Sequence, residues 1–312
     1  MMAMRPVALL MPAACALLCS AQEVADVAAA APRLPLTMTD VKLPVKVEMI
    51  SSVARAGDGT VYLFHRGKEF DPIIAINTQG KVLRSWGKGL YEIPHSVRVD
   101  PKGNVWTVDS ASSKVHQFTP AGKLLLEIVV GEQPSDAKSA FRGTTDIAFG
   151  KEGRLFIADG YGNARVLEYN MKGERVRQWG KRGTGPGEFN LPHGIAITPD
   201  GQTLYVADRE NGRIQRFSTE GKYLGEINGL GKTFSLDYAL GALWIGTQPR
   251  HLPNGAPGWL MKVEPLSGKV LGQVGSIGHH SVAVAPNGEI WTGTRPDRLL
   301  HFVKAARATA AH

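Results

Sequence analysis

Cysteine is nearly absent from this chain. There are two in 312 residues, Cys15 and Cys19, and both fall within the first 21. That segment is laid out as a secretory signal, with Arg5 ahead of the apolar run Val7 to Leu18 and the small residue Ala21 closing Cys19-Ser20-Ala21. It is too short, and wrongly flanked, for a membrane-spanning helix. Leu18 is a poor residue before a lipidated cysteine, so cleavage after Ala21 is expected in preference to a lipid anchor. The expected protein is then periplasmic or secreted, and its mature part has no disulfide and no thiolate chemistry despite an oxidising compartment. No later stretch is long and apolar enough to span a bilayer.

Long amphipathic helical patterns are missing as well. Charge is not scarce: 36 Lys and Arg face 28 Asp and Glu, a formal net charge of +8. The basic residues are dispersed, however, and no recognition-helix or zinc-finger spacing is present, which with export argues against nucleic acid as a partner. A solvated basic surface that favours anionic ligands is the reading that remains. Residues 22–37, rich in Ala and Pro, read as a flexible leader, and 305–312 as a disordered tail.

What is present is a repeat. The stretch 191–225, LPHGIAITPDGQTLYVADRENGRIQRFSTEGKYLG, divides into four short alternating apolar runs separated by turn residues. Five further units align beneath it, beginning near Val53, Pro94, Thr145, Phe234 and His280. The period is roughly 40–50 residues with four strands each, which predicts a single six-bladed β-propeller over 38–304. Each unit carries a glycine in its first hairpin: Gly59, Gly103, Gly153, Gly201, Gly241 and Gly288. The last unit supplies three clear strands. The alternating segment Val41 to Met49 is expected to add its fourth and close the ring.

Three histidines share one structural position. His95, His193 and His280 precede the first strands of units two, four and six. Alternate blades of a six-bladed ring are about 120° apart, so the three imidazoles are expected to converge on the channel axis. Three His ligands with an open position are the donor set of a catalytic zinc, although spacing alone also suits iron or copper. His279 adjoins His280, and the alignment selects His280.

The pieces FHRG (64–67), PHSV (94–97), TDIAF (145–149), DGYGNARV (159–166), PHGIAI (192–197) and ADRENGRIQ (207–215) resemble the peptidyl-α-hydroxyglycine α-amidating lyase family, built on NHL-type propeller repeats. The resemblance runs from Val53 to Phe302. It implies a metal-dependent carbon–nitrogen lyase that splits a peptidyl-α-hydroxyglycine into an amide and glyoxylate. It further implies that His95, His193 and His280 bind zinc, that Tyr161 is the catalytic tyrosine with Arg66 beside it, and that Arg209 is a second active-site arginine. The family also holds a calcium ion through two backbone carbonyls, here those of Val53 and Val97, and an Asp after the third histidine. Ser281 stands at that last position and is a weaker ligand for a hard cation. The partner implied is a peptide or small molecule ending in an α-hydroxyglycine-like group, handled by a monomer. The hydroxylating monooxygenase that makes the usual substrate is expected to be a separate chain or absent.

Two other readings compete. A propeller lactonase would hold its channel metal with Glu, Asn and Asp, which three equivalent histidines disfavour. An NHL binding scaffold would have no convergent imidazoles.

Overall fold

The computed structural model describes residues 24–132, 139–277, 280–294 and 297–306. Among these residues, twenty-four strands form six four-stranded antiparallel sheets. The first, β1 (Leu36–Val41), belongs to the last blade. Blade one is β2 (Ile50–Arg55), β3 (Val61–His65), β4 (Ile73–Ile76) and β5 (Val82–Trp86). Blade two is β6 (Pro94–Val99), β7 (Val105–Asp109), β8 (Lys114–Phe118) and β9 (Leu124–Val129). Blade three is β10 (Asp146–Phe149), β11 (Arg154–Asp159), β12 (Arg165–Asn170) and β13 (Arg175–Trp179). Blade four is β14 (Pro192–Ile197), β15 (Thr203–Asp208), β16 (Arg213–Ser218) and β17 (Tyr223–Asn228). Blade five is β18 (Lys232–Ala239), β19 (Ala242–Gln248), β20 (Gly258–Val263) and β21 (Val270–Ile277). Blade six is β22 (Ala283–Val284), β23 (Ile290–Thr294) and β24 (Arg298–Lys304), completed by β1.

The fold is therefore the all-β, six-bladed propeller that the repeat predicts. Hairpin turns are placed as expected, with Gly103 at φ 87° and Gly201 at φ 74°, conformations that a side chain resists. Ring closure also occurs, but with a different segment. The closing strand is Leu36–Val41, paired with β24 from Leu36↔Lys304 to Val41↔Leu299, not Val41 to Met49. Both segments alternate; the one that closes the ring carries the cross-strand hydrogen bonds, while Leu43 and Val47 instead pack on the seam between blades one and six.

The expected leader over 22–37 is likewise corrected. Residues 24–30 are helical, and Val24 and Ala28, four apart on one face, are buried in the seam between blades four and five. An Ala-rich segment forms a helix when it finds an apolar surface to cover. The signal segment 1–21 lies outside the described residues. So does the tail beyond Ala306, while the Ala305 N–H donates to the Pro35 carbonyl.

The core sits between blades. Each of six apolar clusters draws on two neighbouring sheets. On β11, Leu155 and Ile157 pack towards blade two, while Phe156 and Ala158 pack towards blade four. Period-two alternation thus buries both faces of the inner strands. That explains why runs such as VYLF at the start of β3 are nearly all apolar, with the whole strand buried.

Candidate metal centre

Antiparallel pairing puts the start of each first strand beside the end of each second strand, at one mouth of the channel. Pro94 pairs with Asp109 and Pro192 with Asp208. The register then jumps, from Pro94 to Ser96 in β6 and from Pro192 to Ile195 in β14, with matching jumps from Ile50 to Ser52 and from Thr233 to Ser235. The skipped residues include His95, His193, Ser51 and Phe234. A bulge of this kind re-aims a side chain out of the ladder, and here it aims two histidines at the axis.

His95, His193 and His280 meet there. Their ligand nitrogens all lie within 4.8 Å of one another, and the ring centroids form a nearly equilateral triangle with sides of 4.9, 5.0 and 5.2 Å. Such a triangle puts each ring centre about 3 Å from its middle. That is the reach of a metal–nitrogen bond of about 2.0–2.1 Å plus the inner half of an imidazole.

Each outer nitrogen, Nδ1, donates to a backbone carbonyl of the next blade: His95 to Thr145 at 2.6 Å, His193 to Phe234 at 2.6 Å and His280 to Ser51 at 2.7 Å. These bonds fix the tautomer and leave the Nε2 lone pairs facing inward. Burial, reinforced by the charges of His280 and Arg66, holds the pKa of His95 well below its ordinary value. Burial, with Arg209 and the other two rings, does the same for His193. Neutral imidazoles with inward lone pairs are the protonation state a metal ligand needs, so the donor set fits a metal ion.

Tyr161 stands over this triangle. Its hydroxyl lies 3.0 Å from His95 Nε2 and 3.2 Å from His193 Nε2. It comes from the loop after β11, where Asp159 accepts from Arg165 and Asn163 and anchors the turn. Gly160 lies so close to the Pro192 carbonyl that a Cβ there would overlap it, which is why the DGY triplet needs its glycine. Arg209 follows Asp208 in the corresponding loop of blade four. It is 5% exposed, its guanidinium lies over the rings of Phe234 and Tyr161 at 5.0 and 5.8 Å, and it pairs with Glu210 at 2.9 Å. Arg66 follows β3 in blade one. It donates to the Pro94 carbonyl at 3.0 Å and lies 5.0 Å from the ring of Phe141, itself 4.9 Å from Tyr161. All six residues singled out as catalytic or zinc-binding by sequence therefore surround one point.

Several members of the site escape sequence reasoning. Ser51, Thr145 and Phe234 occupy the histidine position in the three intervening blades. Their carbonyls orient the imidazoles, and their shared repeat phase was the available signal. Phe141, in the loop before blade three, touches both Arg66 and Tyr161 and carries no repeat signal.

Deeper in the channel Arg98 pairs with Asp146, Nη2 at 2.5 Å and Nε at 3.0 Å, and also donates to the Leu236 carbonyl at 2.9 Å. The pair is 18% and 8% exposed. Burial opposes the Arg98 charge, Asp146 more than offsets it, and the pKa is raised. Asp237 lies nearby, its pKa raised by burial. The positions expected to hold calcium lie one residue above: Val53 and Val97 sit in β2 and β6, the Val97 carbonyl accepts from the Ser52 hydroxyl at 3.4 Å, and Ser281 is buried. The guanidinium thus brings positive charge to this stretch of the axis. Arg98→Ala should cost about 3 kcal/mol or more in a denaturant titration, because Asp146 would be left as a buried unpaired charge. A cost below about 1 kcal/mol, the scale of an exposed pair, would show that the pair is not a structural tie.

Comparisons with known proteins place this architecture. The family model described as "6-bladed beta-propeller" matches residues 140–231. Peptidyl-glycine alpha-amidating monooxygenase of Mus musculus is 33% identical over 62% of this chain and 23% of its own length. Peptidyl-alpha-hydroxyglycine alpha-amidating lyase 1 of Drosophila melanogaster is 34% identical over 55% of this chain and 38% of its own. A probable lyase of the same name from Caenorhabditis elegans is 30% identical over 55% and 56% respectively. The chain thus spans between about a quarter and somewhat over half of the length of these relatives. Among solved structures, a virginiamycin B lyase from Staphylococcus aureus superposes with TM-score 0.64 at 15% identity, over 86% of this chain and 99% of that one. A putative gluconolactonase gives 0.63 at 12%, over 87% and 93%. These two share the fold alone. The resemblance read from the motifs is shown by the relatives: on a six-bladed β-propeller, this chain is similar at 30–34% identity to proteins named peptidyl-α-hydroxyglycine α-amidating lyases.

Proposed function

We propose that the chain is an exported, metal-dependent carbon–nitrogen lyase that converts a peptidyl-α-hydroxyglycine-like carbinolamide into an amide and glyoxylate. The observation that carries this reading is the meeting of three inward Nε2 atoms with the Tyr161 hydroxyl 3.0 and 3.2 Å from two of them. His95, His193 and His280 would hold the ion, with zinc the metal proposed for three imidazoles and an open position. When bound, such an ion supplies Lewis acidity to the substrate hydroxyl and lowers its pKa.

The chain's own groups account for the rest. In the reaction the hydroxyl proton leaves, the C–O bond becomes a carbonyl, the C–N bond breaks and the nitrogen takes up a proton. Atoms and electrons balance without an oxidant. Tyr161 is placed to take the hydroxyl proton at Oη and return it to the departing nitrogen. A phenol with a free pKa near 10 acts as a base only where cations favour the phenolate, and Arg209 and Arg66 both lie at this mouth. Glu210 holds the Nε and Nη2 atoms of Arg209, which leaves the Nη1 side of that guanidinium for the substrate carboxylate. Phe141 and Phe234 flank the two arginines and limit water beside the phenol.

No helix among the described residues is long and apolar enough to cross a membrane; export is proposed from the first 21 residues, and a monomer from the closed ring. The test is metal analysis of the purified protein, followed by incubation with N-benzoyl-α-hydroxyglycine and assay of glyoxylate and benzamide. One metal per chain and equal amounts of the two products are expected. Metal-loaded protein that releases neither product would overturn the lyase.

A further inference from the structure

Arg66 and Arg209 belong to blades one and four, which face each other across a six-bladed ring. A carbinolamide held between them has two ends. Its carboxylate goes to Arg209, so its acyl chain leaves the axis on the Arg66 side. A cavity of about 500 Å³ opens there between blades one and two, with Arg66 and Pro94 as its boundary with the metal centre. Part of its wall is apolar. Tyr91 is packed edge-on to Phe64 at 4.8 Å, and its hydroxyl is bonded to that of Thr107 at 2.7 Å. Phe70, Ile93 and Ala111 line the same space. The rim is charged: among the described lining residues, Lys68 and Arg142 are exposed cations and Glu92 is the one carboxylate.

We propose that this cavity is the subsite for the acyl chain of the substrate. It takes an apolar or aromatic side chain next to the scissile bond and an acidic residue one position further out. The inference rests on the lyase reading for its catalytic form. It goes beyond that reading by assigning a substrate preference to residues outside the catalytic centre. The walls supply a surface on which an aromatic ring loses its water. The two rim cations supply a field for a carboxylate, screened because they are exposed.

The experiment compares four substrates by glyoxylate release: N-acetyl-α-hydroxyglycine, N-acetyl-Phe-α-hydroxyglycine, and the latter with Glu or Lys inserted before Phe. We expect kcat/KM to rise at least about tenfold from the acetyl compound to the Phe compound, the usual worth of a filled apolar pocket. Glu should exceed Lys by about threefold or more at low salt. The double variant Lys68→Glu/Arg142→Glu should reverse that order while leaving turnover of the acetyl compound unchanged, and Ala111→Phe should remove the advantage of Phe. Both rim residues are exposed, so the double variant is expected to fold even if Ala111→Phe does not.

Binding of the product amide N-acetyl-Glu-Phe-NH₂, measured by calorimetry on wild type and double variant, tests the subsite independently of turnover. Weaker binding to the double variant supports the subsite even if the lyase reading fails. Equal kcat/KM for all four substrates, or a Glu preference and amide affinity that survive the charge reversal, would overturn the subsite and leave the lyase standing. No turnover of the acetyl compound would count against the lyase alone.

Discussion

His193→Ala protein is expected to be purified without stoichiometric metal and without measurable lyase activity, yet folded. His193 contributes one of three inward nitrogens, and two imidazoles hold an ion far more weakly than three. Loss even of an outer-shell partner commonly costs about 10–100-fold in metal affinity, so loss of a ligand should cost more. The substitution also strands the Phe234 carbonyl, which accepts from His193 Nδ1 at 2.6 Å; an unpaired buried acceptor costs about 1–3 kcal/mol. The ring should survive, because its stability is spread over six seams between blades. Metal content by mass spectrometry, a thermal melt and glyoxylate release give the three readouts. Full metal occupancy in this variant would exclude the three-histidine site.

The second large effect separates metal binding from chemistry. Tyr161→Phe should keep its metal and lower kcat by about 10²–10⁴-fold, the usual contribution of a positioned acid–base group. The substitution removes Oη and little else, since the ring remains packed on Phe141 with centroids 4.9 Å apart. The imidazoles keep their bonds to Thr145, Phe234 and Ser51, so the ligand geometry is retained. If turnover persists within a few-fold of wild type while metal is retained, the phenol is not the base.

The two expectations draw on different kinds of sequence signal. The histidines were legible because the chain repeats. Once the six units are aligned, equal repeat phase means equal height and 120° steps about an axis, and a sixfold ring turns that arithmetic into contact. Tyr161, Arg66 and Arg209 were legible only through the resemblance of their motifs to the lyase family; the structure adds that they follow the ends of second strands, which antiparallel pairing returns to the mouth where the first strands begin. Phe141 was not legible. It lies in the loop before blade three, outside the repeat, and its place between Arg66 and Tyr161 depends on how that loop folds across the mouth. The Arg98–Asp146 pair was missed for a related reason: residues 48 apart read as unrelated until both side chains enter the channel.

The closing strand shows the limit in another way. Leu36–Val41 and Val41 to Met49 both carry alternation, and pattern alone does not choose between two adjacent candidates for one vacant edge. The pairing with β24 from Leu36↔Lys304 to Val41↔Leu299 does. Residues 24–30 read as a mobile leader because so short a helix is marginal without a surface to pack on, however helix-prone its alanines. They are helical because Val24 and Ala28 cover an apolar seam that blades four and five leave open.

By itself, then, the order of residues determined the period, the number of blades and the phase of three histidines. These follow from local alternation and turn chemistry, which act over a few residues. The tertiary structure decided which strand closes the ring, which carbonyls orient the imidazoles and which side chains occupy the axis. Those are set by packing between segments far apart in the chain, where the free energy belongs to pairs of residues that no local pattern connects.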